Sequence, residues 1–443
     1  MPPNVLVILT DQHRNAALGI DGDPRARTPH LDALAARGAR FARSYCASPL
    51  CSPARASFVT GLTPLASGVT TNHQRVPPGL PTLGEAFRAA GYETVWAGKW
   101  HVPEEYPLER DAIPGFLNLA LPGREHDRNG YPVRVAGRPG NWEHNLGGYA
   151  DVPYAEAAAE YLRRPHDRPF LLVVSLMNPH DICFPTAYDR AGPVADRELP
   201  PLPPNFAPPA AEPDLMAETR FSHEWSATLA KDWDDRKWRE SAALYYRFLE
   251  AADGAVGIVL AALPGRESST AVVYTSDHGE GTPAHRWIGK LSLYEDAIAV
   301  PFIAAWPGRV PAGAVVRDSV ASGLDLFPTL CGIAGLEPPA GLHGTNLLPV
   351  LGNPAGPGPE SAFCALYPVG KEFDIAGRAV RTARWAYSAF SRGRIGESLF
   401  DLANDPGETR NLAAEPSARD ALDRHRDLLR RWLARTTDPF PAL

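Results

Sequence analysis

The sequence holds few cysteines, few methionines, no long apolar run and no excess of positive charge. Each scarcity excludes something. Five cysteines (Cys46, Cys51, Cys183, Cys331, Cys364), none in a CxxC pair, are too few and too scattered for a disulfide scaffold. The longest N-terminal apolar run, Val5 to Leu9, falls far short of the roughly 18 residues that cross a bilayer. No basic leader or cleavage site accompanies it, so the expectation is a cytoplasmic chain with no signal peptide and no membrane segment. Lys+Arg 44 against Asp+Glu 51 gives a net charge of −7. That balance argues against a nucleic-acid partner held by a broad basic surface, though it leaves room for a local basic pocket.

What is present reads as a folded globule, with 44% hydrophobic and 21% charged residues. Proline, at 46 residues, is about twice its usual share, which predicts many fixed loops. A length of 443 corresponds to roughly three domain-lengths, or to one large α/β unit with a small appendage. No internal repeat is visible, and no feature sets an oligomeric state.

The chain alternates strand, loop and helix. Asn4–Leu9 is a short β-rich run ending at Thr10-Asp11-Gln12. Thr28-Pro29 opens a helix through Arg37, and Thr82-Leu83-Gly84-Glu85 is a capping box closed by Gly91. Tyr92–Ala97 runs into Gly98-Lys99-Trp100-His101, and Pro169–Leu176 runs into Asn178-Pro179-His180. A helical pattern covers about 240–263, and Thr270–Ser276 ends at Asp277-His278-Gly279-Glu280. This order predicts an α/β fold: a mostly parallel central sheet with helices on both faces. Four polar clusters (Asp11-Gln12, Lys99/His101, His180, Asp277-His278) each follow the carboxyl end of a strand, the edge where such sheets bind ligands.

Residues 1–360 are expected to form the catalytic unit. It carries insertions near 102–150 and 184–238 that are candidates for lids or walls over the site. Residues 361–443 are expected to form a smaller α+β subdomain with antiparallel strands at 363–367, 379–390 and 398–402 and a helix near 418–433.

The sharpest local feature is Cys51-Ser52-Pro53-Ala54-Arg55, followed by Thr60-Gly61. Ser52 is a candidate helix cap with Pro53 in the first turn, which places Cys51 at a helix N-terminus, where anions are favoured. Arg55 lies one turn along the same face. Taken singly, Asp11-Gln12 is equally a turn after a strand, each lysine a solvated charge and each histidine a satisfied polar group.

The Cys-x-Pro-x-Arg segment with its Thr-Gly tail resembles the signature of type I, formylglycine-dependent sulfatases of the alkaline phosphatase superfamily. The resemblance implies that a separate formylglycine-generating enzyme oxidises Cys51 to an aldehyde. Its hydrate carries two hydroxyls: one attacks sulfur and the other later expels sulfate. It also implies that Asp11, Gln12, Asp277 and His278, with position 51, hold a divalent metal. Oxygen donors favour Ca²⁺, and the imidazole makes Mn²⁺ the second choice. The first pair here is Asp-Gln where most relatives carry two acids. By the same resemblance Lys99 and Lys290 hold sulfate oxygens, Arg55 and His101 orient the diol, and His180 serves the leaving oxygen. His285-Arg286-Trp287-Ile288-Gly289-Lys290, Trp306-Pro307-Gly308 and Leu399-Phe400-Asp401-Leu402 extend the likeness over nearly the whole chain.

The expected activity is hydrolysis of a small sulfate ester, possible substrates including a sulfated saccharide. Trp225, Trp233 and Trp238 hint at stacking on sugar rings, although packing is the commoner use of such clusters. Three rivals stand beside this reading. They are a phosphonate monoester or phosphodiester hydrolase on the same scaffold, a non-catalytic binder of sulfated glycans, and a hydrolase that uses the unmodified thiol.

Overall fold

The computed structural model describes residues 2–72, 74–102, 113–119, 147–183, 193–222, 225–263, 265–369 and 374–441. Among them, fourteen strands form three sheets. In chain order they are β1 (Asn4–Asp11), β2 (Ala39–Phe41), β3 (Ser44–Tyr45), β4 (Glu93–Gly98), β5 (Leu117–Asn118), β6 (Phe170–Pro179), β7 (Thr270–Ser276), β8 (Phe302–Ala305), β9 (Ala314–Val316), β10 (Ala321–Ser322), β11 (Ala362–Leu366), β12 (Gly377–Arg381), β13 (Trp385–Phe390) and β14 (Glu397–Asp401). The large sheet has the order β5-β4-β6-β1-β7-β8-β2-β9. All of its pairings are parallel except the two made by β8.

Strand alternation builds the core on both faces. Val5, Val7 and Leu9 point to one side, against Phe58 and Val59 of the helix Cys51–Thr60 and Phe327 and Leu330 of the helix Leu326–Ala334. Leu6 and Ile8 point to the other, against the helices Pro29–Ala36, Gly147–Arg163 and Asp235–Leu260. The apolar runs of β1, β6 and β7 therefore have no polar face to spare, as expected of parallel strands covered twice. Because β1, β4, β6 and β7 are parallel, their carboxyl ends emerge on one edge, with Asp11 beside Pro179 and Thr10 beside Ser276.

The four-stranded sheet β11-β12-β13-β14 is antiparallel. One face packs on the helix Arg419–Thr436 through Val380, Tyr387, Leu422 and Leu429. The other packs on the large unit through Cys364, Phe390, Leu291 and Leu293. Arg381, 1% exposed, reaches across this second boundary to ion-pair with Glu295 (3.2 Å) and pairs within its own layer with Glu408 (3.5 Å).

The expected single strand 379–390 is two strands. Thr382 N–H donates to Trp385 O at 3.0 Å and turns the chain, so that Arg381 faces Ala386. No glycine or proline marks this turn. Within the two expected insertions, residues 103–112, 120–146, 184–192 and 223–224 lie outside the described residues. Trp238 is fully buried and packs edge-on against Phe206 and Trp233, so that pair belongs to the core. The Trp225 side chain lies outside the described residues.

Asp325 offers a pH test remote from the strand-end edge that carries the site. Its carboxylate accepts the Ser322 N–H (2.8 Å) and Thr345 N–H (2.7 Å). Burial outweighs those two donors and pushes the carboxyl up to about 7. The unfolded chain releases this proton near pH 4, so from about pH 4 to 7 the folded state holds a proton that the unfolded state has lost. Stability contributed by Asp325 therefore falls as pH rises through that window. The expected result for Asp325→Asn is a shallower fall of Tm between about pH 5 and 7 by scanning calorimetry. An unchanged slope would show that the carboxyl is ionised throughout.

Candidate active site

The helix Cys51–Thr60 starts at Cys51 itself, with Leu50 as its cap residue and no side-chain cap bond. The expected cap, Ser52, lies inside the helix, and its hydroxyl donates instead to His101 O at 2.6 Å. Burial explains the difference, because a hydroxyl with no exposure is worth more tying the helix to the neighbouring loop. The cysteine thus sits at the helix N-terminus, facing the carboxyl edge of the large sheet.

Arg55, fully buried, organises the two acids. Its Nη2 donates to Asp11 Oδ2 at 3.0 Å and its Nε to Asp277 Oδ2 at 2.9 Å. Its Nη1 donates to Ser175 Oγ (2.8 Å) and Lys99 O (3.1 Å). Lys99 Nζ adds a second cation on Asp11 Oδ2 at 2.5 Å. The Oδ2 atoms are therefore taken, and the Oδ1 atoms face the thiol and the imidazole. Asp11 Oδ1 lies 3.9 Å from Cys51 Sγ and 3.7 Å from His278 Nε2, and Asp277 Oδ1 lies 3.8 Å from His278 Nε2. Lys99 reaches its place because Gly98 adopts φ +99°, and a Cβ there would stand 2.1 Å from Ser175 O.

Asp11, Cys51, Asp277 and His278 offer four buried ligand atoms that all lie within 4.8 Å of one another. The donor set fits a divalent cation. Two carboxylates match its charge, and His278 Nδ1 sits 2.9 Å from Gly279 O, an arrangement that turns Nε2 toward the cluster. The electrostatics agree. Burial and the Asp11 charge push Asp277 up to about 6. Burial opposes the charge on His278, yet Asp277 and Cys51 overcome it and raise that imidazole to about 9. The cluster thus gathers a proton against its own negative charge, and metal binding would release that proton. Gln12 sits beside the cluster. Its N–H donates to Asp277 Oδ1 at 3.1 Å, and its side-chain amide donates to Glu280 and meets Cys183 Sγ at 3.2 Å.

The opposite side of the thiol is basic. Lys290 Nζ lies 3.4 Å from Cys51 Sγ and 3.3 Å from His180 Nε2. Burial and Asp11 oppose ionisation of Cys51, but Lys290, Lys99 and His278 outweigh them and hold the thiol well below its ordinary range. Burial and Lys99 push His180 down to about 3, so it is neutral here. His101 is buried in the left-handed region, φ 65°, with its carbonyl held by Ser52. His285 stacks on Tyr294 at 4.1 Å, and burial lowers it to about 4, which marks it as a packing histidine.

The arrangement joins a helix-terminal nucleophile position, a cation-competent acidic cluster and two buried lysines on one strand edge. Residues 3–336 match the family described as Sulfatase. The chain belongs to the formylglycine-dependent sulfatase family. Residues 283–434 of this sulfatase match the family described as N-sulphoglucosamine sulphohydrolase, C-terminal. It is 31% identical to a delta 4,5-hexuronate-2-O-sulfatase of Bacteroides thetaiotaomicron, covering 100% of this chain and 91% of that protein. A solved 2-O GAG sulfatase superposes with a TM-score of 0.85 at 30% identity, covering 100% of this chain and 94% of the other. A phosphonate monoester hydrolase of Agrobacterium radiobacter shares the fold, with a TM-score of 0.78 at 24% identity over 98% and 96% of the chains. The protein is accordingly a sulfatase-type hydrolase of the alkaline-phosphatase-like superfamily.

Sequence reasoning missed three contributors. Ser175 holds Arg55, and Asp151 accepts the Met177 N–H (2.6 Å) and Asn178 N–H (2.9 Å) just ahead of His180. Glu280 belongs to the Asp-His-Gly-Glu segment, where its burial left no local signal.

Proposed function

We propose that this sulfatase hydrolyses small sulfate monoesters, sulfated saccharides among them, after conversion of Cys51 to formylglycine by a separate maturation enzyme. The observation that carries the reading is the position of Cys51 Sγ, 3.2 Å from His278 Nε2 on one side and 3.4 Å from Lys290 Nζ on the other. A hydrated aldehyde there supplies a nucleophilic hydroxyl and a second hydroxyl through which the sulfate ester can be released. Asp11, Asp277, His278, position 51 and Gln12 would hold a divalent cation, Ca²⁺ first and Mn²⁺ second, which would neutralise charge on the sulfate and acidify the hydroxyl.

The other roles belong to the chain itself. Arg55 pins both acids by their Oδ2 atoms, so each is oriented before substrate arrives. Lys99 and Lys290 supply fixed positive charge where sulfate oxygens must sit, without reorganisation during the reaction. His180 is neutral in the free site, where burial first and then the Lys99 and Lys290 charges oppose its protonation. A sulfate anion bound between those ammonium groups offsets their charge, raises the His180 pKa and lets the ring hold a proton at the leaving oxygen. His101 is assigned to the proton transfer that frees the product.

The names of the similar proteins support a saccharide 2-O-sulfate as the first substrate class to try. The test pairs peptide mass spectrometry across Cys51 with turnover of an aryl sulfate and the matching aryl phosphonate. The expected result is an aldehyde at position 51 and preference for the sulfate. A large preference for the phosphonate would assign the site to phosphonate monoesters. An unmodified thiol with full activity would discard the formylglycine step.

A further inference from the structure

A carboxylate with no exposure is costly unless several donors meet it, and Glu280 is such a group, 0% exposed. Its Oε1 accepts the Thr282 N–H at 2.8 Å and the Gly289 N–H at 2.7 Å. Its Oε2 accepts from the side-chain amide of Gln12, 268 residues away in the chain. The loop between is closed at its base, since Gly281 N–H donates to Gly289 O at 2.8 Å. Lys290 follows directly, its carbonyl held by Trp287 Nε1 at 2.9 Å. Glu280 itself is anchored through its N–H to Asp296 O at 2.8 Å. One carboxyl group therefore grips two segments. One carries Gln12 at the acidic, cation-competent end of the site, and the other carries Lys290 at the basic end.

We infer that Glu280 is a positioning residue that fixes Gln12 and Lys290 relative to each other and so couples the cation end of the site to its sulfate end. The inference rests on the sulfatase reading above. The chemistry is directional. Only the NH₂ of the Gln12 amide can face a carboxylate, so Glu280 dictates which way that amide is turned. The two N–H groups on Oε1 set the height at which Gly289, and with it Lys290, leaves the loop. Outer carboxylates that orient a ligand in this way are commonly worth 10–100-fold in metal affinity or activity.

The test uses the full-length enzyme matured at Cys51 and three measurements beside turnover. These are metal retained after dialysis, calorimetric binding of inorganic sulfate, and Tm. In Glu280→Gln an NH₂ or a lost acceptor faces one of the three donors. The expected result is a drop of tenfold or more in both metal affinity and sulfate affinity, with kcat on an aryl sulfate falling and formylglycine at position 51 unchanged. Should that variant not fold, Glu280→Asp, which keeps the charge but is one methylene too short to reach both segments, is measured in its place with the same expectation. A folded variant in which either affinity stays at the wild-type value overturns the coupling, because a merely structural role lowers Tm alone. A wild-type enzyme with no turnover and an unmodified Cys51 would instead count against the sulfatase reading.

Discussion

Cys51→Ala is expected to abolish sulfate ester hydrolysis and to leave the fold in place. The side chain is fully buried, but its neighbours are the polar groups of the site, and the core clusters on either face of the large sheet do not include it. Removal of a catalytic nucleophile in other hydrolases costs roughly a million-fold in kcat, and a loss of that order is expected here. Cys51→Ser separates two chemistries. A hydroxyl in the same place can be sulfated once but has no second hydroxyl through which to release the product. The expected behaviour is at most a single turnover, seen as a sulfate adduct on the intact protein. Sustained turnover by Cys51→Ser, with serine left unconverted, would remove the need for an aldehyde.

Arg55→Met is expected to be the most destabilising substitution in the site. The guanidinium hydrogen-bonds both Asp11 and Asp277 through their Oδ2 atoms, and both acids are buried. Without it two carboxylates share a water-excluded site with Lys99 on one of them. Breaking a buried ion pair from one side costs about 3–5 kcal/mol, which for a chain of this size lowers Tm by several degrees. Activity falls with it, because Asp277 then loses its Oδ2 partner and Asp11 keeps only Lys99 there. Added Ca²⁺ or Mn²⁺ should recover part of the lost stability, since a cation that binds only the folded state stabilises it by mass action. Calorimetry with and without the cation checks both statements. An unchanged Tm would mean that the acids are neutral in the free enzyme.

The strand-end residues were legible because each follows an apolar β-rich run at once. Asp11, Lys99, His180 and Asp277 are announced by Asn4–Leu9, Tyr92–Ala97, Pro169–Leu176 and Thr270–Ser276, and parallel pairing does the rest. The helix that presents Cys51 was legible from Pro53 in its first turn. Ser52 was misread because capping is a local preference, whereas its actual partner, the His101 carbonyl, is 49 residues away. The turn between β12 and β13 was invisible because Thr382, Ala383 and Arg384 carry no punctuation. Glu280 was overlooked for a related reason. A lone acid after a glycine looks like surface, and only the fold brings it under Gln12 and Gly289.

The ion pairs of Arg381 have a wider consequence. Glu295, which they hold, opens the short helix Glu295–Ile298 only five residues beyond Lys290, and Leu291 and Leu293 between them pack against the antiparallel sheet. The small C-terminal layer is thus a back wall of the reaction chamber. A chain truncated ahead of Ala362 would expose that wall's apolar lining and leave Glu295 without its Arg381 partner, so catalysis and the C-terminal layer must be inherited as one piece.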